Sequence, residues 1–300
     1  MCVDGNKTSC AQFDFLALYQ AKGLDDVDGV LGLAVHPDKN KRNLNYVWNL
    51  KAKGIIDKAI VSFSVSGPNK EDPSYAIFGG INENQIVGGI GGLKKIQTFA
   101  YRPDWTQSVK QWALEGQNLF YGEAASLAQG NTTATMPAII DTGSNNIGVP
   151  ESTFQFLKEK WQRAVPAVNC IDDDNFCFVM QECKTFANKL QPIVFQISDV
   201  MFELKPSLYL HQAEGNKCQF AVHQNQLKGS SGGLFLIGDI MLRHLYQVYD
   251  FEHETISLGV NKHSEGDIWM YNKGERPDEA PKLQTEDSGF GLEVDSHFES

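Results

Sequence analysis

The chain has 300 residues, more than one hydrophobic core usually holds, so one large or two modest domains are expected. Hydrophobic residues make up 42% and charged residues 21%, as in ordinary globular proteins, and no apolar run reaches the roughly 18 residues that span a bilayer. A formal charge of -11 argues against a nucleic-acid partner, because phosphate binding needs a basic surface, and is compatible with an acidic compartment.

The opening "MCVDGNKTSC" has neither the basic start nor the apolar stretch of a secretory signal. It carries Cys2, Cys10 and the glycosylation pattern Asn6-Lys7-Thr8; Asn131-Thr132-Thr133 is a second such pattern. Cys170 and Cys177 form another close pair, followed by Cys183 and Cys218. An even count with two close pairs suits local disulfide loops better than zinc, since no Cys-x-x-Cys occurs and no His falls at ligand spacing. Cysteine pairing and glycosylation patterns together point to a secretory or lysosomal history.

Along the chain, "NYVWNLKAKG" (45–54) is the first helical candidate, with Gly54 placed to cap its C-terminus. "AIVSFSV" (59–65) and "YAIFGG" (75–80) are short β-rich runs bounded by turn residues, and "GGIGG" (88–92) is a turn that lacks the offsets of a dinucleotide-binding loop. "MPAIIDTGSNNIGVP" (136–150) runs from an apolar strand into Asp141-Thr142-Gly143-Ser144. A carboxylate at the end of a buried strand is costly unless hydrogen bonds or a second group compensate it.

"PESTFQFLKEKWQRAV" (150–165) is the strongest helix: Pro150 or Ser152 opens it, and Phe154, Leu157 and Trp161 form one stripe. "CIDDDNFC" (170–177) concentrates acids but lacks the oxygen ligands of a calcium loop, so it reads as a disulfide-closed turn. "PIVFQI" (192–197), "LFLIGD" (234–239), "YQVYDF" (246–251) and "TISLGV" (255–260) read as strands, and "DIMLRHLYQ" (239–247) as a short helix capped by Asp239. "GSSGG" (229–233) fits a nucleophile elbow only in pattern, because it leads into a strand rather than a helix. Beyond about residue 262 the chain is acidic and rich in Pro, Gly and Ser; a flexible tail over 263–300 is expected, with Trp269 and Tyr271 as possible anchors.

Four stretches in this order, "DGVLGLA" (28–34), "YAIFGGI" (75–81), "IIDTGS" (139–144) and "LFLIGDIMLRHLYQVYDFEHETISLGV" (234–260), resemble the pepsin and cathepsin D family of aspartic endopeptidases. The resemblance extends from about residue 12 to 261. It implies an all-β fold with few short helices: the trailing part of an N-terminal lobe (1–80), a complete C-terminal lobe (81–262), then the tail. It implies peptide or protein substrates hydrolysed at acidic pH without a cofactor, and a lysosomal, vacuolar or secreted location. It also implies a disulfide between Cys183 and Cys218, which close about 35 residues.

In that family, two lobes each present an Asp-Thr/Ser-Gly loop, and the two carboxylates share a proton because both cannot ionise at contact distance. One acts as base on a water and the other as acid toward the scissile carbonyl. Carried over, Asp141 is the second-lobe carboxylate. Thr142 braces the loop against the opposite lobe, Gly143 lets backbone approach the carboxylate and Ser144 gives it a hydroxyl. Ile237-Gly238 is the turn beneath, and Ile139, Asn145 and Asn146 are candidates for the substrate cleft. The family usually has a hydroxyl and then an apolar residue where Asn145 and Asn146 stand, so a more polar wall is expected.

Asp141-Thr142-Gly143 is read as the only triplet of its kind, and neither a first-lobe loop nor a flap tyrosine precedes it. Asp28 stands at a structural position of the family and is no substitute. The expectation is an aspartic endopeptidase half-site that is inactive alone. It would be a fragment, a chain completed by a partner supplying the first lobe, or a non-catalytic protease-like subunit of a larger assembly.

Overall fold

The computed structural model describes residues 29–36, 38–66, 74–99, 110–122, 135–171, 176–225, 233–264 and 266–278. Among the described residues a 3-10 turn (Lys39–Leu44) leads into α1 (Tyr46–Ala52), β1 (Ile60–Ser64), β2 (Tyr75–Phe78) and β3 (Lys94–Gln97). They are followed by β4 (Ala113–Tyr121), β5 (Met136–Ile140), β6 (Ile147–Val149) and α2 (Glu151–Ala164). Next come β7 (Asn169–Ile171), β8 (Phe176–Val179), β9 (Ile193–Ile197), β10 (Val200–Leu204), α3 (Pro206–Tyr209), β11 (Leu210–Ala213) and β12 (Lys217–Gln224). The chain then forms β13 (Phe235–Ile237), α4 (Asp239–Leu242), β14 (Leu245–Asp250), β15 (Thr255–Val260) and β16 (Ile268–Asn272). The expected all-β character with few short helices is what the structure has.

Two sheets organise these strands. The smaller runs β2-β1-β14-β15-β3 and is antiparallel throughout. It joins the N-terminal segment to the C-terminal hairpin, with Val61 opposite Tyr249. The larger runs β16-β10-β9-β4-β5-β13-β6-β12-β8-β7, with β11 paired to β12. Its pairs are antiparallel except β5 with β13 and β6 with β12. Strands β5, β9 and β10 are buried along their whole length, so apart from Gln196 and Glu203 their residues are apolar rather than alternating with polar ones.

The expected helix at 150–165 is α2. It buries Thr153, Phe154, Leu157 and Trp161, with Pro150 at its N-cap. The Trp161 indole is fully buried, 4.3 Å from the Phe220 ring and stacked on Tyr209, which seats the helix on the sheet. Helix α1 is capped by Asn45, whose Oδ1 accepts the N–H groups of Val47 and Trp48, and the chain leaves it through Gly54 at φ 67°.

Two expectations are corrected. The helix read over 239–247 is a single turn, α4, and its N-cap is Gly238 rather than Asp239. Residues from Leu245 onward pair with β1 and β15, and a strand buried between two neighbours overrides the local helical pattern. The tail expected from residue 263 also starts too early. Residues 268–272 form β16 against β10, anchored where the Tyr271 hydroxyl donates to buried Glu203 at 3.1 Å. Arg276 forks onto both Glu203 oxygens at 2.9 Å and lies over the Trp269 ring.

Candidate active site

Strand β5 places Asp141. Its last residue, Ile140, donates its N–H to the Trp112 carbonyl at 2.8 Å, and the Asp141 N–H donates to the Ile237 carbonyl at 3.0 Å. Strand β13 thus lies between β5 and β6, parallel to one and antiparallel to the other, and carries Ile237-Gly238 directly beneath the 141–146 loop. The loop turns back at once, with the Ser144 N–H donating to the Asp141 carbonyl at 3.2 Å.

Each carboxylate oxygen of Asp141 accepts one hydrogen bond. Gly143 N–H donates to Oδ1 at 2.9 Å, and the Ser144 hydroxyl donates to Oδ2 at 2.8 Å. Both hold its oxygens in place. The side chain is half-buried, and Thr142, Gly143 and Asn145 beside it are exposed. A Cβ on Gly143 would stand 3.2 Å from Oδ1, which explains a glycine where backbone must reach the carboxylate.

Gly238 is more constrained. A Cβ there would meet the Asn146 carbonyl at 2.2 Å and the Ser144 carbonyl at 2.5 Å. That close approach lets Asp239 N–H donate to Ser144 O at 2.6 Å and Ile240 N–H to Asn145 O at 2.9 Å. The turn entering α4 therefore satisfies the loop's carbonyls from below.

A second support comes from residues that sequence reasoning missed. The Tyr249 hydroxyl is fully buried and donates to Gln247 Oε1 at 2.7 Å, while Gln247 Nε2 donates to the Leu242 carbonyl of α4 at 2.9 Å. Burial pushes the Tyr249 hydroxyl far above its ordinary range, and the nearby Asp141 charge pushes the same way, so it stays a neutral donor. The Tyr249 ring packs edge-on against Trp112, whose carbonyl anchors Ile140. The polar Gln247 inside the apolar run 245–249 was the available signal.

The other predicted residues divide. Ile139 is buried in a small cluster with Ala113 and Leu234 rather than open to a cleft, whereas Asn146 is half-buried at the loop end. Cys170 pairs with Cys177 across the β7–β8 hairpin, and Cys183 pairs with Cys218. Cys2, Cys10, Asn6, Asn131, Asp28 and most of "GSSGG" lie outside the described residues. Among the described residues no group of three or more His, Cys, Asp or Glu could hold a metal ion. The reading of Asp141 as head of the only such triplet is corrected by Asp287-Ser288-Gly289, which lies outside the described residues and follows Asp141.

A model of the eukaryotic aspartyl protease family matches residues 10–261, so Asp287 falls beyond the match. Bovine pepsin A is 25% identical over 232 residues, covering 77% of this chain and 55% of that protein. Human gastricsin is 23% identical over the same share of this chain and 54% of its own length. Bovine pregnancy-associated glycoprotein 2 is 24% identical over 85% of this chain and 60% of its own length. The chain thus spans about half the length of the curated relatives it matches. The crystal structure of the aspartic proteinase from Irpex lacteus superposes with a TM-score of 0.63 at 17% identity, over 82% of this chain and 72% of that one, a likeness of fold.

Proposed function

The chain belongs to the eukaryotic aspartyl protease family, and from that premise we propose that it carries one half-site of an acid endopeptidase, with Asp141 as its single contribution to a carboxylate dyad. The observation that supports this most is the doubly hydrogen-bonded Asp141 carboxylate on its Gly143-Ser144 loop. In this reading a second carboxylate, from a first-lobe loop, meets Asp141 at about 3 Å and the pair shares one proton. The ionised member takes a proton from a water that attacks the peptide carbonyl, and the protonated member gives its proton to the carbonyl oxygen. Gly143 N–H and the Ser144 hydroxyl hold Asp141 oriented through both steps. Substrates are peptide bonds of polypeptides.

Residues 1–80 are then the end of a first lobe, and 81–262 the lobe that carries Asp141. No Asp-Thr/Ser-Gly stands between Met1 and Asp141, and Asp287-Ser288-Gly289 lies beyond the residues the family matches, so in this reading the 300 residues alone give no turnover. Two disulfides favour an oxidising, lysosomal or secreted setting. The purified chain incubated with an acid-protease peptide substrate should release no product. Pepstatin-sensitive cleavage that disappears in Asp141→Asn would show instead that the chain supplies both carboxylates.

The polar Asn145-Asn146 pair beside the carboxylate supports a second reading, a protease-like subunit that binds rather than cuts. Such a chain would be isolated in a complex and would bind pepstatin no better than its Asp141→Asn variant.

A further inference from the structure

The turn between β14 and β15, Asp250-Phe251-Glu252-His253-Glu254, carries more charge than a chain reversal needs. Asp250 builds the turn itself. Its Oδ1 accepts the N–H groups of Glu252 and His253 at 2.9 and 3.0 Å, and its Oδ2 lies 2.7 Å from His253 Nδ1. The two glutamates reach elsewhere. Glu252 Oε1 accepts Ala59 N–H at 2.7 Å, at the entry to β1, and its Oε2 pairs with Lys51 Nζ of α1 at 2.7 Å. Glu254 Oε2 pairs with Lys110 Nζ at 2.5 Å, and its Oε1 lies 3.6 Å from Arg42 Nη2.

Two further observations mark this as more than surface charge. The five paired side chains are 16–31% exposed, so their attraction is less screened than that of open surface pairs. Glu254 also stands at φ 52°, where Gly or Asn would sit at lower cost, while it engages two cations. The Trp48 ring lies under the Arg42 guanidinium at 5.0 Å and near Lys51 Nζ at 5.6 Å, which fixes both cations over α1.

We propose that this turn is a pH-sensitive clasp: with Glu252 ionised and Glu254 paired to Arg42 and Lys110 it holds residues 39–59 against the C-terminal hairpin, and protonating Glu252 loosens that segment while the large sheet stays folded. The proposal stands apart from the half-site reading and does not need it.

The sign follows from the partners. The hydrogen bond from Lys51, then that from Ala59 N–H, hold the Glu252 carboxyl below its usual range, with burial and Asp250 working against them. A depressed carboxyl adds stability above its unfolded value, about 4.3, and loses it as pH falls through the folded value. Asp250 moves the same way: burial raises it, but the hydrogen bonds from His253 and Glu252 outweigh burial. Protonating Glu252 therefore leaves Lys51 without its ionised partner and weakens the acceptor of the Ala59 N–H.

Hydrogen exchange of the purified chain, corrected for intrinsic rates, tests this. Amides of residues 46–59 should exchange a few-fold faster at pH 3 than at pH 7 as a partly exposed ion pair and its backbone hydrogen bond are lost, while amides of α2 keep their protection. The Glu252→Gln/Glu254→Gln variant should show the fast exchange at both pH values, and 1 M NaCl should speed it in the wild type at pH 7. Unchanged protection of 46–59 at pH 3, or loss of α2 protection in parallel, would overturn the clasp. So would a double variant as protected at pH 7 as the wild type.

Discussion

At the residue scale, the account rests on one carboxylate and two glycines. Asp141→Asn keeps the loop's shape but lets only one amide oxygen accept, so it should cost about 1 kcal/mol in stability by denaturant melting while abolishing any dyad chemistry. Gly238→Ala is different, because its Cβ would meet two backbone carbonyls that cannot swing away. It should cost at least about 1–3 kcal/mol, measured the same way, although alanine suits the backbone angles there. The Asp-Thr-Gly-Ser loop and its Ile-Gly support were legible in the sequence because both stand in short contiguous motifs that resemble the aspartyl protease family. Tyr249 and Gln247 were not. Gln247 stands out as polar within an apolar run, but its support of the Asp141 loop depends on how β14 is docked under α4.

At the element scale, period and punctuation carried most of the reading. Helix α2 was legible because one stripe meets the core and a proline opens it. The strand at 268–272 was not, because its partner β10 comes much earlier and its context is polar and rich in turn residues. What recruits it is chemical: Glu203 is buried in an all-buried strand and needs a cation. Arg276→Met should therefore cost about 3–5 kcal/mol on thermal or denaturant unfolding, since it strands a buried carboxylate. Glu203→Leu/Arg276→Met should recover much of that loss. Reducing the Cys183–Cys218 bond, or replacing both with Ser, should cost roughly 2–4 kcal/mol, because the bond closes 35 residues of unfolded chain.

At the scale of the whole molecule, the two sheets divide the work. The large one holds the Asp141 loop between β5, β6 and β13, and the small one stitches the N-terminal segment to the C-terminal hairpin. Sequence order suggested lobes in succession, whereas the small sheet takes strands from both ends of the chain because β1 pairs with β14. Such long-range register leaves no local trace. The catalytic proposal belongs to this scale, since a dyad needs a second loop brought to Asp141 from a first lobe. The most direct test is to titrate the purified 300-residue chain with a first-lobe fragment of a pepsin-type enzyme and follow peptide cleavage at acidic pH. The account predicts no cleavage without the fragment, a saturable rise as it is added, and complete loss of that rise in Asp141→Asn. Cleavage without the fragment, or reconstituted cleavage that survives Asp141→Asn, would contradict it.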